Sequence, residues 1–194
     1  TVEELETASI VQRLKDDTLD AGILATPLHD NGILENRLYD EPFFVCFSKK
    51  DELAQKKVLH EKDLPLDRIL LLNEGNCLRD QMINLCQFKA QSSKQDQRLH
   101  FESGSLTTLI RLVEQGSGFT IVPYLALETV PKGNCLTRPF AEPQPVREIS
   151  LIVRRSYVKH NILEALRKEV LANLPSQLLE YQKHKGRLVE FQWN

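Results

Sequence analysis

Apolar positions along the chain switch between a spacing near 3.6 and a spacing near 2, which predicts helices alternating with strands and an α/β fold class. Residues 6–15 (ETASIVQRLK) place Ile10, Val11 and Leu14 on one helical face, with Thr7 as the expected N-cap. The run LDAGILAT reads as a short buried strand that ends near Thr26 and Pro27. Leu34 to Tyr39 and Phe43 to Phe47 read as two extended segments with a break at Asp40-Glu41-Pro42. Glu52 to Leu64 is irregular or weakly helical, and Arg68 to Leu72 is a strand. Gly75-Asn76 then opens a helix from Cys77 to about Phe88. A polar loop over 89–97, a strand beginning at His100-Phe101, and a helix capped by Ser105 and stopped at Gly116 follow. Gly118 to Val122 is a strand closed by Pro123, and Glu148 to Val153 is another. His160 to Leu174 is an amphipathic helix with Ile162, Leu163, Leu166 and Val170 on one face. Residues 176–194 are polar with scattered apolar positions and carry no assignment.

Composition narrows the function classes. The net charge is −2 and the basic residues are scattered, so these residues carry no electrostatic footprint for nucleic acid and no helix-turn-helix pattern. Any DNA contact would come from a segment outside them. No apolar run approaches the ~20 residues that span a bilayer, so a cytoplasmic protein without membrane contact is expected. Four cysteines (Cys46, Cys77, Cys86 and Cys135) are too few for a disulfide scaffold. With no CxxC and no Cys/His cluster at zinc-ligand spacing, neither a metal nor a cofactor is expected.

Two segments are more specific. VEQGSGFTIVP (113–123) combines a helix end, a Gly-x-Gly turn, an apolar strand and a proline, with Gly116 as the left-handed cap and Gly118 permitting a tight return. It resembles a recurring segment in the effector domain of LysR-type transcriptional regulators. GNCLRDQMINLC (75–86) resembles the redox motif of the peroxide-sensing, OxyR-type branch of that family. The flanks agree: TASIVQRLKDDTLDAGIL (7–24), YDEPF (39–43), SLTTL (105–109) and PQPVREISLIV (143–153). The resemblance spans roughly residues 2–170.

The resemblance implies two Rossmann-like subdomains, similar to type II periplasmic binding proteins and joined by two crossover strands near Glu41–Phe47 and Pro145–Ile149. Residues 1–41 with 147–175 would form the first, its opening strand and helix lying before Thr1. Residues 42–146, containing the redox segment 75–88, would form the second. It also implies a homodimer or tetramer and a hydrogen peroxide signal. Promoter DNA would be held by an N-terminal helix-turn-helix outside these residues, with RNA polymerase as a further partner.

Position alone leaves Cys77 open between a reactive thiol and an inert core residue. It begins a helix, where Asn76 can cap and the dipole favours a thiolate, and Arg79 is near in sequence. The resemblance implies that Cys77 is the peroxide-reactive thiol and Cys86 the resolving one. It nominates Thr7, Asn76, Asp80 and Arg147 as the peroxide pocket, although Asn76 stands where this group usually has histidine. Asparagine donates a hydrogen bond but carries no proton. Cys46 and Cys135 read as inert, without a partner. A low thiol pKa would not suffice by itself, because nucleophilicity falls with basicity, so fast sensing requires donors for the departing hydroxide. Two other readings stand beside this one. In one, the domain is gated by a small effector between the lobes and the cysteines are incidental. In the other it is an enzyme, a thiol peroxidase or other dithiol oxidoreductase, which the missing CxxC and the two-lobed pattern disfavour.

Overall fold

Residues 33–48 form one strand where two segments and a break were expected. In the computed structural model, which describes residues 1–86, 102–182 and 186–189, strand β1 (Gly22–Thr26) is followed by this long strand, β2 (Ile33–Ser48). Its first part runs antiparallel to β7 (Pro145–Arg154), with a bulge between Arg37 and Tyr39, and β1 pairs the other edge of β7. From Phe43 onward β2 lies between β5 (Phe119–Pro123) and β6 (Cys135–Pro139), antiparallel to both. Pro42 does not break the strand because it stands where one set of ladder bonds ends and the next begins, so the N–H it lacks is not missed.

Two apolar cores follow from this change of neighbours. Phe43, Phe47 and Phe119 anchor the first, together with Met82 and Leu85 of α2 (Cys77–Leu85) and Leu109, Ile110 and Val113 of α3 (Leu106–Glu114). The second gathers Val11 and Leu14 of α1 (Thr7–Lys15), Leu24 of β1, Leu151 to Val153 of β7 and Leu163 of α4 (His160–Ala172). Each fully buried side chain of this size contributes roughly 1.5–3 kcal/mol, so either core can hold its own layer of helices. β2 contributes to both, β7 buries its apolar residues in the second, and Glu41 faces Arg147 in the ladder where the two strands cross.

Several sequence expectations change. Ser105 occupies the N-cap of α3 without a side-chain bond to it; its own N–H is accepted by Ser103 Oγ. Of the expected apolar face of α4, only Leu163 is buried, while Ile162 and Leu166 are 59% and 39% exposed. The strand at 68–72 shortens to β3 (Leu71–Leu72), which pairs in parallel with β4 (Glu102–Ser103). Strand β6 was not anticipated. Gln87, Phe88, the loop 89–97 and the strand start at 100–101 lie outside the described residues. The glycine turn is as expected: Gly116 has φ +83°, and a Cβ on Gly118 would collide with the Arg68 carbonyl oxygen.

The unassigned tail acquires a role. Helix α5 (Ser176–Tyr181) buries Leu178 in the second core, and β8 (Arg187–Leu188) adds in parallel to the start of β7, bringing Val189 into the first. Between them the Gln182 side chain accepts from the Asp40 N–H and donates to the Asp40 carbonyl, fastening the tail to the crossing strand.

Candidate redox site

Gly75, at φ +82°, turns the chain out of β3, and Asn76 Oδ1 accepts the Leu78 N–H at 3.0 Å to start α2. The buried side chains of that helix divide. Leu78, Met82 and Leu85 enter the first core, whereas Cys77 packs against the second. The thiol therefore sits in the cleft between the cores. Across the cleft α1 begins at Thr7, and its N-cap is Glu6, which makes no capping bond. The expected capping role of Thr7 is thus incorrect. Being one residue inside the helix, Thr7 has its hydroxyl free, and Oγ1 lies 2.8 Å from Cys77 Sγ.

Both residues line a cavity of about 630 Å³ that Asn76, Tyr39, Glu41 and Arg147 also border. Glu41 is 1% exposed, and its Oε2 accepts from Arg147 Nε at 2.8 Å and Nη2 at 2.7 Å. Its other oxygen accepts the Leu125 N–H at 2.8 Å. This buried carboxylate holds the guanidinium in the cavity wall with donors left over for a ligand. Burial, followed by the charge of Glu41, pushes the Tyr39 phenol up to about 12, so it stays a donor at neutral pH. Asp80 is not part of the wall, although its charge is felt at Cys77. Arg79 gives no support to the thiolate: it donates to the Leu72 carbonyl at 2.7 Å and pairs with Glu102 at 2.8 Å. Arg147 is the cation that acts on the thiol instead.

The expected depression of the Cys77 pKa is overturned. Burial raises it above the ordinary thiol value; the Thr7 hydrogen bond lowers it, Asp80 raises it, and a backbone N–H and Arg147 lower it again, with a net upward shift. An ordinary thiol is about 3% ionised at pH 7, and burial holds Cys77 below that, so a fast reaction at this thiol would depend on the cavity's donors. A raised thiol pKa favours the fold below the pKa of the unfolded thiol, and that contribution is lost as pH rises through the folded value. Thr7→Val keeps the side-chain shape and removes the hydroxyl. Alkylation of Cys77 at neutral pH should slow on the order of tenfold, the scale of one hydrogen bond to a charged group, with the pH profile displaced upward. An unmoved profile would show that the Thr7 contact does not stabilise the thiolate.

Cys86 is the C-cap of α2, its N–H bonded to the Met82 carbonyl at 3.0 Å. Burial pushes its thiol up to about 12, which leaves Cys77 as the more ionisable of the two. Nine helical steps separate the two Cα atoms by about 13.5 Å along the axis. A disulfide requires ~7 Å or less, and both thiols are free. Cys46 and Cys135, by contrast, do meet. Cys46 faces Thr137 across β2 and β6, which puts Cys135 diagonally next to it on the same face, and each thiol influences the titration of the other. That pairing was invisible without β6. Glu41 was also missed as a site residue: a carboxylate before a proline signals a turn, and only the crossing shows that it is buried.

Residues 1–175 match the family described as LysR substrate binding domain. The chain is 31% identical over 172 residues to the DNA-binding transcriptional dual regulator OxyR of Escherichia coli K12, covering 88% of this chain and 55% of that protein. It spans between 48% and 58% of the length of the first curated relatives that it matches. Among solved structures, an OxyR mutant from Porphyromonas gingivalis superposes with TM-score 0.80 at 30% identity, over 97% of this chain and 85% of that one. The reduced OxyR regulatory domain from Pseudomonas aeruginosa gives 0.77 at 29% identity, over 89% and 80%. The two cores joined through β2 thus belong to a periplasmic-binding-protein-like fold, and this chain belongs to the LysR substrate-binding-domain family, on its OxyR-like branch.

Proposed function

We propose that the chain is the peroxide-sensing regulatory part of a transcription factor, with Cys77 as the sensor and a reversible Cys77–Cys86 disulfide as the signal. The observation that carries this reading is the 2.8 Å contact of Thr7 Oγ1 with Cys77 Sγ inside a cavity that also presents the Arg147 guanidinium. The Cys77 thiolate attacks one peroxide oxygen, the O–O bond breaks, and the leaving hydroxide takes a proton to become water. Thr7, Asn76 and Arg147 are the donors that stabilise the departing charge. The resulting sulfenic acid condenses with the Cys86 thiol, forming the disulfide and releasing a second water. Because α2 holds the thiols apart, that step requires the helix to unwind, which converts oxidation into a change of shape. Asp80, which does not line the cavity and whose charge disfavours ionisation of the thiol, is not among these donors.

The lobes are residues 1–41 with 147–175 and residues 42–146, and their altered packing within a homodimer or tetramer respaces the attached DNA-binding segments on a promoter in the cytoplasm. The relatives named OxyR support the regulatory assignment over an enzymatic one. Among the described residues no helix is long and apolar enough to cross a membrane. The cavity is much larger than a peroxide molecule, which favours a second reading in which a small effector between the lobes is the signal.

Labelling with dimedone separates the two. Under mild peroxide, Cys77→Ser should abolish labelling and disulfide formation, while Cys86→Ser should leave a trappable sulfenic acid at Cys77. Preferential labelling of Cys86 in the Cys77→Ser protein would reverse the assignment. Unreactive cysteines in every variant would leave the effector-gated reading.

A further inference from the structure

Gln81 lies in the middle of α2, fully buried, and neither its Nε2 nor its Oε1 has a hydrogen-bond partner among the described residues. Leu78 and Leu85, one turn before and one turn after it on the same face of the helix, are both buried, so apolar side chains flank the amide along α2. Buried side-chain amides are nearly always paired, since leaving one unpaired forfeits its hydration without return. Among the described side chains only Arg154 Nε shares that condition. It lies on β7, away from the helix that separates the two thiols.

We infer that Gln81 is a positioning residue for the Cys77–Cys86 couple, set to weaken the dithiol state. This rests on the reading of that pair as the redox signal. Its amide is stranded only while α2 is helical; unwinding the helix to form the disulfide returns it to water. The penalty therefore falls on the reduced form and makes the disulfide easier to form and harder to reduce. An apolar residue at this position would do the opposite, packing well in the helix and poorly in the unwound segment.

The test is equilibration of the chain in glutathione buffers of graded ratio. One glutathione disulfide oxidises the two thiols, giving the protein disulfide and two reduced glutathiones, and the fraction oxidised is read by alkylation and mass spectrometry. Gln81→Met matches the length of the side chain and Gln81→Leu approximates its volume. In both, the equilibrium constant for disulfide formation should fall at least tenfold, a rise of about 30 mV in the potential of a two-electron couple. A residue whose surroundings were the same in both forms would change the stability of the two together and leave that potential unmoved. An unchanged constant, or a raised one, in variants whose parent does form the disulfide overturns the inference and spares the proposed function. If the parent forms no Cys77–Cys86 disulfide in any buffer, the proposed function fails and the inference falls with it.

Discussion

Oxidation by peroxide is expected to accelerate amide exchange across residues 77–86 by at least about a hundredfold, ~2.7 kcal/mol of lost local protection, while the β2 and β7 ladders change little. The helical hydrogen bonds of α2, closed by the Cys86 N–H on the Met82 carbonyl, hold the two cysteines about twice as far apart as a disulfide permits. Helix and disulfide therefore exclude one another. Exposing Leu78, Met82 and Leu85 completely would cost about 5–9 kcal/mol at 1.5–3 kcal/mol each. A disulfide typically contributes about 2–4 kcal/mol. The oxidised segment must therefore re-dock part of its apolar surface rather than hang free, and exchange should slow again at whichever of these residues finds a new site. Matched reduced and oxidised samples, with the disulfide confirmed by non-reducing peptide mapping, provide the measurement. Unchanged exchange over 77–86 in quantitatively oxidised protein would end the refolding mechanism.

The second large effect is expected at the crossing of the lobes. Arg147→Met strands the carboxylate of Glu41, which is almost inaccessible to solvent, and should cost about 3–5 kcal/mol of unfolding free energy. Glu41→Met strands a guanidinium that still borders the cavity and is 19% exposed, so water offsets part of the loss, and a smaller cost of about 2–3 kcal/mol follows, including the orphaned Leu125 N–H. The double variant should recover much of the loss, because a hydrophobic pair of similar volume can replace a buried ion pair at little cost. Urea unfolding of the four proteins closes the cycle. If each single variant costs less than about 1 kcal/mol, the pair is not the fastening at the crossing that its geometry implies. Every variant lacking Arg147 should also react slowly with peroxide, since the donor facing Cys77 is gone even where the fold is restored.

Legibility differed by the range over which a signal acts. Helical spacing in TASIVQRLK and LTTLIRLVE, the cap at Asn76 and the turn at Gly116 are written within a few residues, and the structure has them where the pattern places them. The run through Pro42 failed for the opposite reason. Proline is a local signal for a break, but its cost depends on which neighbour needs the missing N–H, and the change of partners at the crossing removes that need. The tail was unreadable because its apolar residues, Leu178 and Val189, bury in different cores and so follow no single period.

The amino-acid sequence by itself determined the α/β class, the helix that opens at Cys77 and the nine-residue interval that keeps two thiols apart, because each depends on contacts within one element. Only the tertiary structure decided what surrounds the thiol. Thr7 is seventy positions from Cys77 and meets it because α1 and α2 start on opposite sides of one cleft. The cation that acts on the thiol is Arg147, delivered by the second crossing strand, rather than the neighbouring Arg79, whose charge is held by Glu102. The direction of the Cys77 pKa was decided in the same place. A helix start favours the thiolate, but burial between two cores disfavours it more strongly, and burial is a property of the assembled fold that no local pattern encodes.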